Sequence, residues 1–400
     1  MRGFALLRPF AEEPALRLTV GLMLIFGAYA ATMAPYLSAL AVTVFGLGER
    51  AYSMVLVVAS VVAVSASVGF GILADQRANR RAIALWSVLM LVLGMGLVLA
   101  FPVPWVFVLT QAVIVPMAGS LFGQLFALAR LAASTRPEAE RPAIHATLRA
   151  VFALPWVIVL PFWAVVFSSG VPLTVLYPVS TMLALALLGL TFAGWPRDGA
   201  TRWPDPKSGL SFRQSLHEIA AWPILARVLA LGPVHGSVML YMVVMGLVFT
   251  ATPERGAGDV ALYAGLLGGL EVPFMLALPM IVERVSRPVL IVAGMVLYAV
   301  HLAGIPLLAA SDLVWLLIVP GAMGGAIILT QPIAYLQDLM ETRPGAGASL
   351  MALQKLAGDA ICAATFAIGT ALAGYQVAAV AGAVLAIAGA VALWRMDQSA

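Results

Sequence analysis

Long apolar runs broken by short polar clusters succeed one another from near residue 15 to near residue 394, and no charged residue interrupts Ala82 to Ala129. At about 1.5 Å per residue and about 20 residues per crossing, that one stretch must pass a bilayer twice, with Phe101-Pro102-Val103-Pro104 as the turn. The same reading along the chain predicts twelve spans at 15–43, 51–74, 81–101, 104–130, 142–168, 172–194, 222–250, 258–282, 288–309, 313–338, 345–373 and 376–394. Runs this long and uniformly apolar lack the alternation of an outer-membrane barrel, so strands are excluded. The expected fold is all-α and integral to the membrane. No small-residue cleavage site follows the first apolar run, which is expected to stay as a helix.

Composition agrees with the pattern. Of 400 residues, 10% are charged and 62% hydrophobic, too little polar surface to coat a water-soluble particle. The net charge of +4 does not point to nucleic acid, because the bases sit in short loops between spans, where membrane orientation accounts for them. With both termini in the cytoplasm, only Arg50 and Arg255 of the 22 Lys and Arg fall outside, while Arg149, Arg227 and Lys355 lie within spans. A multi-pass protein of the cytoplasmic (inner) membrane is expected. Cys362 stands alone and the four His are dispersed, so neither a disulfide nor a metal site is expected, and no cofactor.

The chain reads as a duplication. Gly71-Ile72-Leu73-Ala74-Asp75-Gln76-Arg77-Ala78-Asn79-Arg80-Arg81 joins spans two and three, and Pro279-Met280-Ile281-Val282-Glu283-Arg284-Val285-Ser286-Arg287 joins spans eight and nine. Arg141-Pro142 and Arg343-Pro344 open spans five and eleven alike. The longest polar segment, rich in Pro and charge, separates residues 1–194 from 222–400 and reads as a cytoplasmic linker over 195–221. Two pseudo-symmetric six-helix bundles follow, the arrangement by which many secondary transporters place a solute site at the midplane.

The loop between spans two and three resembles that of the major facilitator superfamily, whose pattern is Gly-x-Leu-Ala-Asp-Arg-x-Gly-Arg-Arg. Gly71, Leu73, Ala74, Asp75 and Arg80 match; Gln76, Ala78 and Asn79 depart from it. A narrower resemblance runs through Gln124 to Arg130, Trp156-Val157-Ile158, Gly269-Leu270-Glu271-Val272-Pro273, Gln337-Asp338-Leu339-Met340, Arg343 and Gly345 to Ser349. These segments are similar, in order, to the bacterial sugar efflux transporter family. The resemblance implies the major facilitator fold and export of small sugars or glycosides. One departure is Val159-Leu160-Pro161 in span five, where exporters carry Gly-Pro, which leaves Pro155 and Pro161 to bend that helix without a neighbouring glycine.

Glu271 falls near the middle of span eight, where an ionised carboxylate costs at least about 2.5 kcal/mol on insertion scales. Such a group either takes and releases a proton during transport or pairs with a neighbouring helix. Lys355 and Asp359 share a helix face four residues apart. Mutual neutralisation explains them, and a pair of this type can also open to solute or proton, which makes Asp359 a second proton-coupling candidate. Arg149 either snorkels, pairs with Glu271 or Asp359, or meets solute; Arg227 is expected to snorkel. For a sugar, donors, acceptors and aromatic faces are wanted. Tyr29, Thr32 and Tyr36 form one helical stripe and Gln331 with Tyr335 another; Trp156, His235, Gln111 and His301 are looser candidates, each equally explained by interhelical bonding.

Asp75, Arg77, Arg80, Glu283, Arg287, Asp338 and Arg343 are read as a latch of charge pairs at helix ends, each worth about a kcal/mol or less and so able to open. The reading is a proton-coupled antiporter of small sugars working by alternating access, with the solute, protons and the bilayer as partners and a monomer as its state. Rivals are an exporter of another small molecule, and an assembly or sensor protein that transports nothing. An enzyme is not expected, because no nucleophile and base converge.

Overall fold

The computed structural model describes residues 8–77, 79–203, 222–282, 284–339 and 344–398. Among them every regular element is helical. Twelve helices are long and apolar enough to cross a membrane. They are α1 (Pro14–Val44), α2 (Glu49–Arg77), α3 (Arg80–Ala100), α4 (Pro104–Ala133), α5 (Arg141–Ser168) and α6 (Leu176–Gly194), then α7 (Trp222–Ala251), α8 (Ala257–Val282), α9 (Arg287–Leu308), α10 (Ile318–Asp338), α11 (Pro344–Ala373) and α12 (Tyr375–Gln398). Leu276, Leu372 and Val165 stand 76%, 73% and 70% exposed. Side chains so apolar are left uncovered only where lipid is the solvent, and the chain is a multi-pass membrane protein.

Prolines change the helical pitch in two places. At Pro35, which has no N–H to give, α1 tightens to 3-10 over Ala34–Tyr36 and then widens to π over Leu40–Val44. In α4 a π turn at Thr110–Ile114 passes into 3-10 at Val115–Gly119, around Pro116. The helices α7, α9 and α10 continue through Pro233, Pro306 and Pro332.

Compactness parts the chain into two units. The first comprises Met1–Met33, Ser65–Val159 and Thr174–Leu210. Here Phe26, Phe122, Phe126 and Phe152 pack as an aromatic group with ring centroids 4.9 to 6.5 Å apart. Ahead of α1, Arg8 Nε and Arg136 Nη1 donate to the two oxygens of Glu12 at 2.6 and 2.7 Å. The bond from Arg8, then that from Arg136, holds the Glu12 carboxyl below the usual carboxylate range. A depressed carboxyl contributes stability at neutral pH that is lost as pH falls through its folded value, and the exposure of Glu12 keeps the contribution small.

The second unit comprises Ala34–Val64, Leu160–Leu173 and Ser211–Ala400. It therefore gathers α7 to α12 together with the ends of α1, α2 and α5 that border loops 45–48 and 169–172. Close backbone approach holds α7 to α11, since a Cβ on Gly358 would lie 2.7 Å from the Gly232 carbonyl oxygen and 2.8 Å from His235 Cδ2. The end of α1 is seated equally tightly on α7: a Cβ on Gly246 would meet Ser38 Oγ at 2.7 Å and the Pro35 oxygen at 2.8 Å.

Candidate functional site

Within the second unit one carboxylate stands where three helices meet. Lys355 Nζ donates to Asp359 Oδ2 at 2.7 Å, and Ser60 Oγ of α2 donates to the same oxygen at 3.0 Å. Across the Gly358 contact, His235 Nε2 of α7 stands 3.7 Å from Asp359 Oδ1, too far for a hydrogen bond, and is buried with no partner among the described residues. Asp359 is 13% exposed and Lys355 47%. The helical spacing of Lys355 and Asp359 thus produces the pair it suggested. Ser60 has no such signal, being one of four serines along α2 with nothing in the sequence to mark it.

Glu271 lies in the middle of α8, half-buried. Among the described residues its carboxylate takes no hydrogen bond and forms no ion pair. It rests on α10, where a Cβ on Gly325 would collide with Glu271 Oε1. Gly325→Ala should therefore displace the carboxylate and shift the pH profile of transport, while stability changes by about 1 kcal/mol or less, because a flexible side-chain end gives way and alanine favours the helix. Thermal unfolding and the pH profile of transport check this, and a variant with an unchanged profile contradicts the contact.

Other predicted residues have different surroundings. Arg149 is exposed and, among the described residues, has no hydrogen bond or ion pair; it belongs to the first unit, Glu271 and Asp359 to the second. Trp156 is half-buried in the first unit. The stripe on α1 does not act as one face, because the 3-10 turn intervenes: Tyr29 (8% exposed) stacks on Phe26 and Thr32 is buried in the first unit, whereas Tyr36, fully buried in the second, donates to the Ala257 oxygen at 3.4 Å and meets Phe167 edge-on. Gln111 is buried in α4. His301 is enclosed by Tyr241, Tyr263 and Tyr298, with Nδ1 3.2 Å from the Tyr263 hydroxyl and 3.1 Å from the Leu317 oxygen. Such surroundings suit a packing role. Among the described residues no group of His, Cys, Asp and Glu is arranged to hold a metal ion.

The helix-end charges are partly seen. Arg287 Nε pairs with Asp338 Oδ2 at 3.1 Å. Nearby, Arg227 Nε donates to the Tyr335 hydroxyl at 3.0 Å, which donates to Asp397 Oδ1 at 3.1 Å, and Arg227 Nη2 reaches the Met396 oxygen. Tyr335 is thereby tied into the end of the helices, and Arg227 is held by α10 and α12 instead of merely extending. Gln331 is buried one turn further in, its amide nitrogen on Thr330. At the start of α3, the Arg81 backbone N–H donates to Asp198 and its guanidinium to the Phe192 oxygen, and Arg80 borders a small cavity with Trp195, Asp198 and Trp203. Glu283 and Arg343, with the side chains of Asp75 and Arg77, lie outside the described residues.

Twelve apolar helices of this arrangement define the major facilitator fold. It is the fold of a crystallised mutant of the nucleoside transporter NupG (TM-score 0.75, 13% identity, 96% of this chain and 99% of that one) and of a POT family transporter in complex with 5-aminolevulinic acid (TM-score 0.73, 12% identity, 95% and 96%). The human organic anion transporter MFSD10 shares it, at TM-score 0.62 and 14% identity over 95% of this chain and 99% of that one. By sequence the chain is 27% identical over 359 residues, 86% of its length and 88% of the relative's, to a Deinococcus radiodurans protein named "Putative sugar efflux transporter". No family model matches the chain. The relatives it matches are transporters, not enzymes.

Proposed function

We propose that the chain is a secondary transporter of the inner membrane that exports small sugars or glycosides in exchange for protons, by alternating access between two bundles, 1–194 and 222–400, joined by a linker over 195–221. The observation that carries the coupling is Glu271, a carboxylate in the middle of a membrane helix that no described residue neutralises. A charge left so costs several kcal/mol unless it is protonated for part of the cycle, which suits a group that loads a proton from one side and releases it to the other. Asp359 is the second candidate, its charge already offset by Lys355.

The name of the Deinococcus radiodurans relative supports the solute class and direction. Arg-rich loops support cytoplasmic termini. Arg149, Tyr29, Thr32, Tyr36, Trp156, His235, Gln331, Tyr335 and Lys355 remain the proposed solute contacts, and Asp75, Arg77, Arg80, Glu283, Arg287, Asp338 and Arg343 the latch. The working state in this reading is a monomer. Counterflow in proteoliposomes tests the solute: exchange of radiolabelled glucose or lactose, with lipophilic cations inert, is the expected outcome, and the reverse selectivity contradicts the sugar reading.

A further inference from the structure

The two oxygens of Asp359 are used unequally. Oδ2 accepts from both Lys355 and Ser60, whereas among the described residues Oδ1 faces only Nε2 of His235, 3.7 Å away and itself without a partner there. An ionised carboxylate offers about four lone-pair sites, so Oδ1 has acceptor capacity to spare. A hydroxyl group both donates and accepts. Nε2 is buried here, so a hydroxyl reaches the two atoms only once the Ser60 side opens; about 2.8 Å from each, an ordinary hydrogen-bond length, it would then close a triangle on the 3.7 Å base and satisfy both. The Lys355 ammonium, half exposed beside them, has two further protons for a neighbouring hydroxyl.

Ser60 marks the inner end of a seam. From it toward loop 45–48, α2 is tied to α11 and α12 by the edge-on pair Tyr52 and Phe366 and by the Tyr375 hydroxyl, which donates to Glu49 Oε1 at 2.9 Å. Ser60 itself is 4% exposed and presents to Asp359 the same functional group that a polyol would. Apart from Lys355 and His235, the only titratable group close to this carboxylate among the described residues is the buried thiol of Cys362, one turn along α11.

We propose that Asp359, Lys355 and His235 form a hydroxyl-binding subsite for a polyol solute, with Ser60 as its built-in competitor, so that an arriving vicinal diol displaces Ser60 and frees α2 from α11. The proposal rests on the sugar-transport reading above. It converts solute recognition into opening of the seam: the diol takes the innermost rung, and Tyr52 and Tyr375 then hold α2 alone. A ligand that must displace an internal hydrogen bond has its apparent affinity lowered by that competition.

The test is titration calorimetry of the full chain in lipid nanodiscs with glucose, lactose and sorbitol, combined with spin-label distances between cysteines introduced at Arg50 and Gln376, both exposed at the loop end of the seam. Ser60→Ala should bind the sugar that the wild type binds about 3- to 10-fold more tightly, the factor set by one ordinary hydrogen bond. It should also lengthen the label distance without solute, whereas the wild type lengthens only when sugar is bound. Ser60→Thr, which keeps the hydroxyl, should restore both wild-type behaviours. Asp359→Asn should weaken binding by about tenfold or more. Sugar binding with Ser60→Ala no tighter than wild type overturns the proposal and leaves sugar transport standing. Failure of the wild type to bind any of the three, with transport of some other solute, overturns the sugar reading and the subsite's ligand class together.

Discussion

Lys355→Ala is expected to destabilise the protein more than removing Lys355 and Asp359 together. The single change leaves the Asp359 carboxylate, 13% exposed and within a membrane helix, with only Ser60 donating to it among the described residues. Stripping one partner from a buried pair costs about 3–5 kcal/mol, and the low end applies because Lys355 is 47% exposed. Replacing both by apolar residues removes the stranded charge and its desolvation, and such double changes are often neutral or stabilising. Thermal unfolding of the solubilised protein should therefore rank Lys355→Ala lowest, with Lys355→Met/Asp359→Leu near the wild type. A double variant as unstable as the single one would mean that the cluster's hydrogen bonds, and not its charge balance, hold α2 and α11 together.

Glu271→Gln should remove pH-driven exchange to the level of empty vesicles while leaving the fold intact or slightly more stable. The amide is nearly isosteric, so it still fits against Gly325, and it spares the roughly 2.5 kcal/mol or more that an ionised carboxylate costs at the centre of a bilayer. Loss of transport with gain of stability is the signature of a group kept for its charge. A structural role predicts the opposite coupling, with stability and activity falling together. Solute counterflow without a pH gradient should survive in this variant, because the alternation itself needs no titratable side chain at Glu271.

The spans were legible because crossing a bilayer demands length and apolarity over consecutive residues, both of which a single sequence carries; the span read at 345–373 and the helix Pro344–Ala373 differ by one residue. Lys355 with Asp359 was legible for a related reason, since four residues along one helix fix a shared face whatever the tertiary structure. What joins different helices was not. The pairing of Ser60 with Asp359 links residues 299 apart, and the seat of Glu271 on Gly325 depends on how α8 meets α10. Small and weakly polar residues carry these contacts, and their spacing along the chain says nothing about a partner.

The α1 stripe shows the opposite failure. Tyr29, Thr32 and Tyr36 share a face only while the helix keeps its pitch, and Pro35 changes that pitch between the second and third of them. Arg227 was read as a cation stretching to the membrane edge, but Tyr335 and the Met396 oxygen give it fixed partners from two other helices. A lone cation near a helix end carries no mark of which neighbour will meet it.

The claim on which the account turns is that the Glu271 carboxyl changes protonation as the solute is carried. Infrared difference spectroscopy of the lipid-reconstituted protein, with sugar added at constant pH, reads this directly through the carbonyl stretch of a protonated carboxyl. The account predicts a sugar-induced change in that band which disappears in Glu271→Gln. A band that persists in the variant, or its absence from a wild type that still exchanges sugar for protons, would contradict it.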